Sequence, residues 1–597
     1  MKPLTILGYL IGAATISTAI SATAPLPDPL EGVWVSDTPF VRPSGELLVT
    51  RDKDRWSATI GNLLATSTPD RDTVKFSFAD GQTSFRGHID RNNRIDGFWI
   101  QEGVSDQPLA SPLILESVDR THWKATVPDL GLGFTLYLQI LRREDGVLIG
   151  AFRNPQINTR GGSSRFHVEH KGTTVRFLER NDGQQGIIHE ATLEQNPERL
   201  KLMWPQFRRE LELTRATPTQ AASYFPRPQG SEYKYKAPDQ SDDGWQSAHA
   251  DATGLDEGAL TPLVRQIAQY QPSDRQPNLI HSLLVAHKGR LVLEEYFFGH
   301  DRNTLHDMRS ASKTFASVLL GSEIYRGTKI SPTSRIVDLM KSRGPVASKS
   351  DMKGRITLAH LMTHTSGLAC DDNDEKSPGG EEQLQTQTGE SDWWKFTLDL
   401  PMRHEPGTRY AYCSAGMNLV GGALKQVSGM SLPELFDREV ARPLQFGPYA
   451  WNLAPNGEGY LGGGARLRPR DLLKIGQTYL NGGVWNGRRI VSSEWIKSST
   501  VPVVEVNETT TGLTSEDFAN VYTGGADALA WHSFPITAGG RTYREYEAAG
   551  NGGQLLIVIP ELDLALVMTG GNYGQGAIWT KWRDQFVASA IIPAITK

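Results

Sequence analysis

Three places in this chain carry a serine followed three residues later by a lysine, and one of them could do chemistry. In "HDMRSASKTFASVLLGSEIYRG" the pair is Ser310 and Lys313. In a helix, residues i and i+3 share a face, so the lysine nitrogen can reach the hydroxyl. A serine hydroxyl is a weak nucleophile until something takes its proton. A buried lysine can do so, or it can hold the site positive while a second group acts as base. Ser310 also stands where the helix begins. Free backbone N–H groups point there, and the partial positive charge favours an oxyanion. Phe315, Val318 and Leu319 supply an apolar face that buries the helix. The other two pairs, Ser231/Lys234 and Ser350/Lys353, lie in polar stretches. The pattern alone equally describes a capped helix with a solvated lysine.

Two downstream segments offer partners. In "EPGTRYAYCSAGMNLVGGALKQVSG", Tyr412 and Ser414 follow a Pro-Gly turn and precede a helix. Two residues apart, they can face one pocket. A phenol beside an ammonium is expected to have a lowered pKa and to serve as base. A packed core tyrosine is the plain alternative. In "YEAAGNGGQLLIVIPELDLALV", the run Gly550-Asn551-Gly552-Gly553 lets a substrate approach backbone closely and leads into a strand. An ordinary turn is the alternative there.

The elements that must hold these residues fall into two regions. Residues 25–216 read as all-β. "TVKFSF" sets Val74, Phe76 and Phe78 on one face, and "FTLYLQI" does so for Phe134, Leu136, Leu138 and Ile140. Asp-Gly and Asn-Asn turns punctuate them, which suggests a closed barrel or sandwich. His167 and His170 fall on opposite faces of a strand, so they do not suggest a metal site. Residues 217–250, rich in Pro, Gln, Ser and Asp, read as a linker. Residues 251–597 mix helix and strand. "SLLVAHKGRLVLEEYFFG" is a hairpin signal, and strands at both ends with helices between suit an α+β domain whose sheet joins its termini.

The 597 residues are too many for one compact domain. The formal net charge of -5 gives no case for a nucleic-acid partner. Lys2 followed by "LTILGYLIGAATISTAISATA" has the layout of a secretory signal peptide over residues 1–24; Pro25 blocks cleavage directly after Ala24. No later segment is apolar enough to span a bilayer. The mature chain is therefore expected to be periplasmic or secreted. In that oxidising setting the two cysteines, Cys370 and Cys413, can form one disulfide, although spacing alone leaves two buried thiols open.

Taken in order, "LLVAHKGRLVLEEYFFG", "MRSASKTFASVLLG", "ITLAHLMTHTSGL", "EPGTRYAYCSAGMNLVGG", "GGGARLRPRDLLKIGQTYLNGG" and "AAGNGGQ" resemble the penicillin-binding-protein-like serine hydrolases, the superfamily of the class C β-lactamases, the DD-peptidases and their esterase and amidase relatives. The resemblance covers roughly residues 230–597. It implies a β-lactamase/DD-peptidase-like α+β catalytic domain behind the all-β domain. It implies that Ser310 is acylated, that Lys313 and Tyr412 move its proton, and that Ser414 fills the third position of the tyrosine element. Backbone N–H groups of Ser310 and Asn551 would form the oxyanion hole. No cofactor and no metal are implied. His364 in "THTSG" belongs, by the same resemblance, to a structural loop. A Cys370–Cys413 bridge would cross the mouth of the site, with Trp393 and Trp394 as an apolar rim and Gly550 and Gly552 lining the substrate pocket.

One departure narrows the substrate. Where the family carries Lys-Thr-Gly or His-x-Gly, this chain has Ala548-Ala549-Gly550. Losing a charged contact to a substrate carboxylate costs roughly 1.5–3 kcal/mol. The sequence therefore looks closer to the 6-aminohexanoate-dimer hydrolase and carboxylesterase branch, acting on a small-molecule or peptide substrate. A β-lactamase or DD-peptidase is the alternative, and a non-catalytic cell-wall or ligand-binding protein is the third reading.

Overall fold

The computed structural model describes residues 28–595 apart from 40–41, 54, 68–72, 104–106, 132, 157–164, 182–183, 197, 205–208, 229, 275, 348–349 and 514–524. The expected signal segment lies outside the described residues. Among those described, no helix is long and apolar enough to cross a membrane.

The N-terminal region contains an eight-stranded antiparallel barrel and a second sheet beside it. The strand Gly32–Pro39 pairs with Gly133–Arg142 on one side and Arg209–Arg215 on the other, which closes the barrel. Trp34, Phe134, Leu136, Leu138, Phe152, Phe177 and Trp204 fill it, so the period-two alternation of "FTLYLQI" supplies its interior. The strands from Gly45–Asp52 to His122–Val127 surround their own core of Leu47, Trp56, Phe76, Phe85, Trp99 and Trp123. That second sheet runs on into the C-terminal region. Its strand Pro108–Ser117 pairs with Ala450–Asn452, which pairs with Ala465–Leu467, which pairs with His306–Asp307. The N-terminal sheet thus ends three residues before Ser310.

Residues 217–250 are packed rather than a free tether. Tyr224, Tyr233 and Trp245 are buried. The Trp245 indole donates to the Arg470 carbonyl (3.2 Å), and the Tyr233 hydroxyl donates to Glu295 (2.7 Å). Aromatic residues set among the polar ones seal this stretch to the C-terminal region.

The C-terminal region is built on an antiparallel sheet. Five of its strands run, in spatial order, Arg290–Tyr296, Ile280–His287, Leu564–Gly570, Gln554–Ile559 and Tyr546–Gly550. The first two form the expected hairpin, turning at Lys288 and Gly289 with φ of 49° and 75°. The sheet is covered on both faces, which explains why "QLLIVI" is apolar throughout. Leu555 and Ile557 face a layer with Leu260, Val264, Trp582 and Phe586, while Leu556 and Val558 face the helical layer with Phe315, Leu319 and Leu473. In that layer the helices Phe315–Tyr325 and Ser414–Ser428 are almost wholly buried.

Candidate active site

The segment bearing Ser310 is a short 3₁₀ turn, Arg309–Thr314, that runs into the helix Phe315–Tyr325. Arg309 enters it at φ 49°, a left-handed conformation unfavourable for an arginine. Its N–H donates to Asp307 Oδ1 (3.1 Å) and its Nε lies 3.2 Å from Asp307 Oδ2, which holds the bend. The loop "GGGAR" closes over the turn. Met308 N–H donates to the Ala465 carbonyl (3.0 Å), and Ala465 N–H donates to Ser312 Oγ (3.1 Å).

Lys313 Nζ lies 2.9 Å from Ser310 Oγ and donates to the Gly462 carbonyl at 2.5 Å. It is buried, and burial lowers its pKa against the opposing pull of Glu381 and Asp372. The nitrogen also sits 4.9 Å from the centre of the Tyr412 ring. The Ser310 side chain lies close enough to the Tyr412 hydroxyl to favour its ionised form. The expected lowering of the phenol is not found: burial pushes Tyr412 well above its ordinary value, with the neighbouring Ser310 only partly offsetting it. Near neutral pH this phenol keeps its proton and can act as a donor, while burial shifts Lys313 in the direction of an acceptor.

Tyr412 is walled by two histidines. The His364 ring centre is 4.4 Å from that of Tyr412, and its Nδ1 accepts the Cys413 N–H (3.1 Å). Burial and the nearby Lys313 keep His364 neutral, so it supports the tyrosine. On the other side lies His532, paired with Asp527 (2.6 Å). Burial opposes its charge, but Asp527 holds its pKa above the usual value.

Ser414 is turned away from the serine–lysine pair. Its hydroxyl donates to Asp372 Oδ2 (2.5 Å) and its N–H to the same oxygen (2.9 Å). Asp372 is thereby seated at the start of the helix Ser414–Ser428, where a carboxylate is stabilised. Its N–H donates to the Tyr412 carbonyl (2.8 Å), and its Oδ1 takes the Glu381 N–H (2.9 Å). Burial, with Glu381 adding to it, raises Asp372 to about 6. Glu381 accepts the Tyr460 hydroxyl (2.5 Å). Asp372, Glu381, Tyr460 and the Gly462 carbonyl were not found from sequence, because "CDDNDE" reads as a solvated acidic loop.

Cys370 and Cys413 are bonded, with Cα atoms 5.4 Å apart. The bridge ties the Asp372 loop to the residue between Tyr412 and Ser414.

The structure packs four of the expected pocket residues against protein. Trp393 and Trp394 are 2% and 1% exposed and form no rim. They lie on the inner side of the helix Trp393–Asp399, Trp393 against Tyr460 and Trp394 against Gly422. Gly550 is occupied by protein: a Cβ there would stand 2.4 Å from the Met308 carbonyl and 3.0 Å from the Ala311 nitrogen. It lets the strand Tyr546–Gly550 press against the nucleophile turn. Gly552, at φ 98°, is covered by the Tyr573 ring. Asn551, between them, is exposed, and its Oδ1 accepts the Gly574 N–H (2.9 Å), which orients the segment. The Ser310 N–H lies in the first turn of its helix, where no intrahelical carbonyl precedes it.

Among the described residues one surface group, His249, Asp251 and Glu257, brings three ligand atoms within 4.8 Å of one another. His249 Nε2 is already engaged with Glu257 (3.0 Å), and the group has no part in this site.

The same stretch of chain matches a known family profile, named Beta-lactamase, over residues 280–575. Residues 280–575 are a Beta-lactamase family domain. The family is one of hydrolases. The domain is similar to the 6-aminohexanoate-dimer hydrolase of Paenarthrobacter ureafaciens, 25% identical over 257 residues, covering 41% of this chain and 62% of that one. It is similar to a Beta-lactamase of Escherichia coli (strain K12), 27% identical over 212 residues, covering 35% and 51%. The chain thus spans less than two thirds of the length of each of these relatives. A penicillin-binding protein homologue from Caulobacter crescentus aligns with a TM-score of 0.44 at 14% identity, covering 56% of this chain and 97% of that structure.

Proposed function

We propose that this protein is an exported serine hydrolase that cleaves a small ester or amide through an acyl-enzyme on Ser310. The observation that carries the reading is the 2.9 Å contact between Ser310 Oγ and a buried Lys313 whose pKa is lowered. Ser310 Oγ attacks the carbonyl carbon while its proton passes to the lysine amine. Tyr412, kept protonated by burial, gives its proton to the departing alcohol or amine, and Lys313 returns one to Tyr412. Water then attacks the acyl carbon by the reverse relay, releasing a carboxylic acid and restoring Ser310. The N–H groups of Ser310 and Asn551 are the proposed oxyanion donors. Asp372 orders Ser414 and the Tyr412 backbone around this relay.

Ala548-Ala549-Gly550 offers no cation to a substrate carboxylate, which favours an ester or amide over a penicillin-type substrate. The disulfide supports export. The functional units of this reading are residues 1–24 as signal, 25–216 as β domain, 217–250 as connector and 251–597 as hydrolase.

The test uses a fluorophosphonate and a fluorescent penicillin on the wild type and on Ser310→Ala, with short p-nitrophenyl esters as substrates. Labelling by the fluorophosphonate alone, lost in Ser310→Ala but kept in Ser350→Ala, is expected. Labelling by both probes moves the reading to a penicillin-type enzyme. Hydrolysis by a folded Ser310→Ala protein overturns it.

A further inference from the structure

The seam between the barrel and the hydrolase domain contains a cavity of about 420 Å³. On the barrel side it is lined by Leu130, Gly133 and Tyr137, and on the hydrolase side by Phe298, His306 and Arg466. Ser310, Lys313, Tyr412 and Asn551 do not line it, so it is separate from the site above.

Among the buried groups at this cavity and directly behind it, guanidiniums outnumber carboxylates. Arg466, buried, has Asp307 as its carboxylate neighbour at 3.5 Å, and Asp307 is shared with Arg309 at 3.2 Å. A third guanidinium comes from the barrel. Arg153 is buried, donates to the Ser223 carbonyl and to His281 Nε2 (3.2 Å each), and forms no ion pair among the described residues. Burial brings its pKa down to about 10. Two buried guanidiniums, Arg466 in the lining and Arg153 behind it, therefore stand with one buried carboxylate, Asp307, which the half-buried Arg309 also engages. Asp129 and Asp301 also line the cavity, but they are exposed at its rim, where water and salt screen their charge. Asp301 Oδ1 is spent on Asn303 N–H, Thr304 N–H and Thr304 Oγ, and Asp129 Oδ1 on Gly131 N–H.

Hydrogen-bond acceptors are short as well. Arg466 Nε, His300 Nε2 and Tyr573 Oη are all buried atoms with no hydrogen-bond partner among the described residues. Such orphans, gathered in one place, mark a missing partner. Because Arg153 always donates, His281 Nε2 must accept. Its Nδ1 then carries the proton toward His306 Nε2 (2.9 Å), and His306 Nδ1 points to the Asp307 carbonyl (3.3 Å). That chain uses the histidines as relays and adds no negative charge.

We propose that the seam cavity is a binding site for an organic carboxylate with a short apolar chain, its oxygens toward Arg466 and its chain among Leu130, Pro155, Phe298 and Leu305. The volume is too large for a bare phosphate, and the apolar lining suits a carbon chain. The acidic group compensates the buried cations, which is the arrangement buried charges require. The site lies on the strand His306–Asp307, three residues before Ser310, so occupancy stiffens the segment that carries the proposed nucleophile.

The test is titration of the full-length protein with hexanoate, hexanamide and inorganic phosphate, read by calorimetry and by hydrogen exchange. Hexanoate is expected to bind one-to-one and to slow exchange around Gly133–Tyr137 and Phe298–His306, with hexanamide at least tenfold weaker. Arg466→Gln is expected to weaken hexanoate by tenfold or more. Because Arg466 touches Asp307, a second variant guards against misfolding: a Cβ on Gly133 meets no atom within 4 Å, so Gly133→Phe fills the cavity mouth and should abolish binding with an unchanged melting temperature. Protection confined to segments around Tyr412 and Asn551, equal binding of hexanamide, binding of phosphate alone, or no binding at all would each overturn the proposal.

Discussion

Gly550→Ala tests whether the distance between one strand and the nucleophile turn sets the catalytic geometry. A Cβ at this position stands 2.4 Å from the Met308 carbonyl oxygen and 3.0 Å from the Ala311 nitrogen. Both obstacles are backbone, so neither can swing aside. A carbon–oxygen contact settles at about 3.3 Å, and the strand must therefore move off the turn by roughly 0.9 Å. Asn551 follows directly and carries the second proposed oxyanion donor, so the hole widens by nearly the same amount. A misplacement of about 1 Å costs on the order of 100-fold in rate, or ~2.7 kcal/mol of transition-state stabilisation. The overpacking itself costs about 1–3 kcal/mol of stability. Steady-state hydrolysis of p-nitrophenyl butyrate should show kcat down about 100-fold with KM little changed, in a protein that still melts cooperatively. Gly354→Ala, where the added carbon meets nothing within 4 Å, is the control and should be neutral. A folded Gly550→Ala enzyme with turnover within twofold of wild type would refute the reasoning.

Replacing both bridged cysteines by serine should lower stability by ~4 kcal/mol, from the 43-residue separation of the bridge, and should also slow turnover, since Cys413 adjoins Tyr412; an unchanged urea midpoint would show that the loop is held by packing alone. Asp372→Ala should cost about 1–3 kcal/mol by leaving the buried Ser414 hydroxyl and N–H unpaired, and should reduce kcat more than Ser414→Ala does; equal effects would remove Asp372 from the ordering of the site. Burial holds His306 neutral down to about pH 4, whereas an unfolded histidine protonates near 6.5. The unfolded chain thus binds the extra proton first, so stability is full above about pH 6.5 and falls as the pH drops toward 4, by ~3 kcal/mol from this residue. Urea unfolding across that range should show the decline, and His306→Gln should flatten it; an unflattened slope would assign the acid sensitivity elsewhere.

What the amino-acid sequence determined by itself was mostly local. Ser310 and Lys313 meet because three residues of helical chain separate them, and no distant contact is needed to predict it. The hairpin at Lys288-Gly289 and the inward row Phe134, Leu136 and Leu138 follow from turn chemistry and period-two alternation. The α+β domain was legible because its motifs keep their order along the chain. Tertiary structure decided everything that depends on what surrounds a group. The protonation of Tyr412 is such a case: proximity to a lysine predicts a low pKa, but enclosure by His364, His532 and the helical layer pushes it up. Trp393 and Trp394 read as a sticky rim, yet the face of a short helix that turns inward is fixed by its partners, here Tyr460 and Gly422. Asp372 sits in an acidic run that any composition argument sends to solvent. It is half-buried because the Cys370–Cys413 bridge and the start of the helix Ser414–Ser428 draw it in. The seam cavity lies furthest from the sequence, since Arg153 and Arg466 are 313 positions apart in number and come together only when barrel and hydrolase dock. Burial and charge balance are properties of the assembled surroundings, and chain order does not encode them.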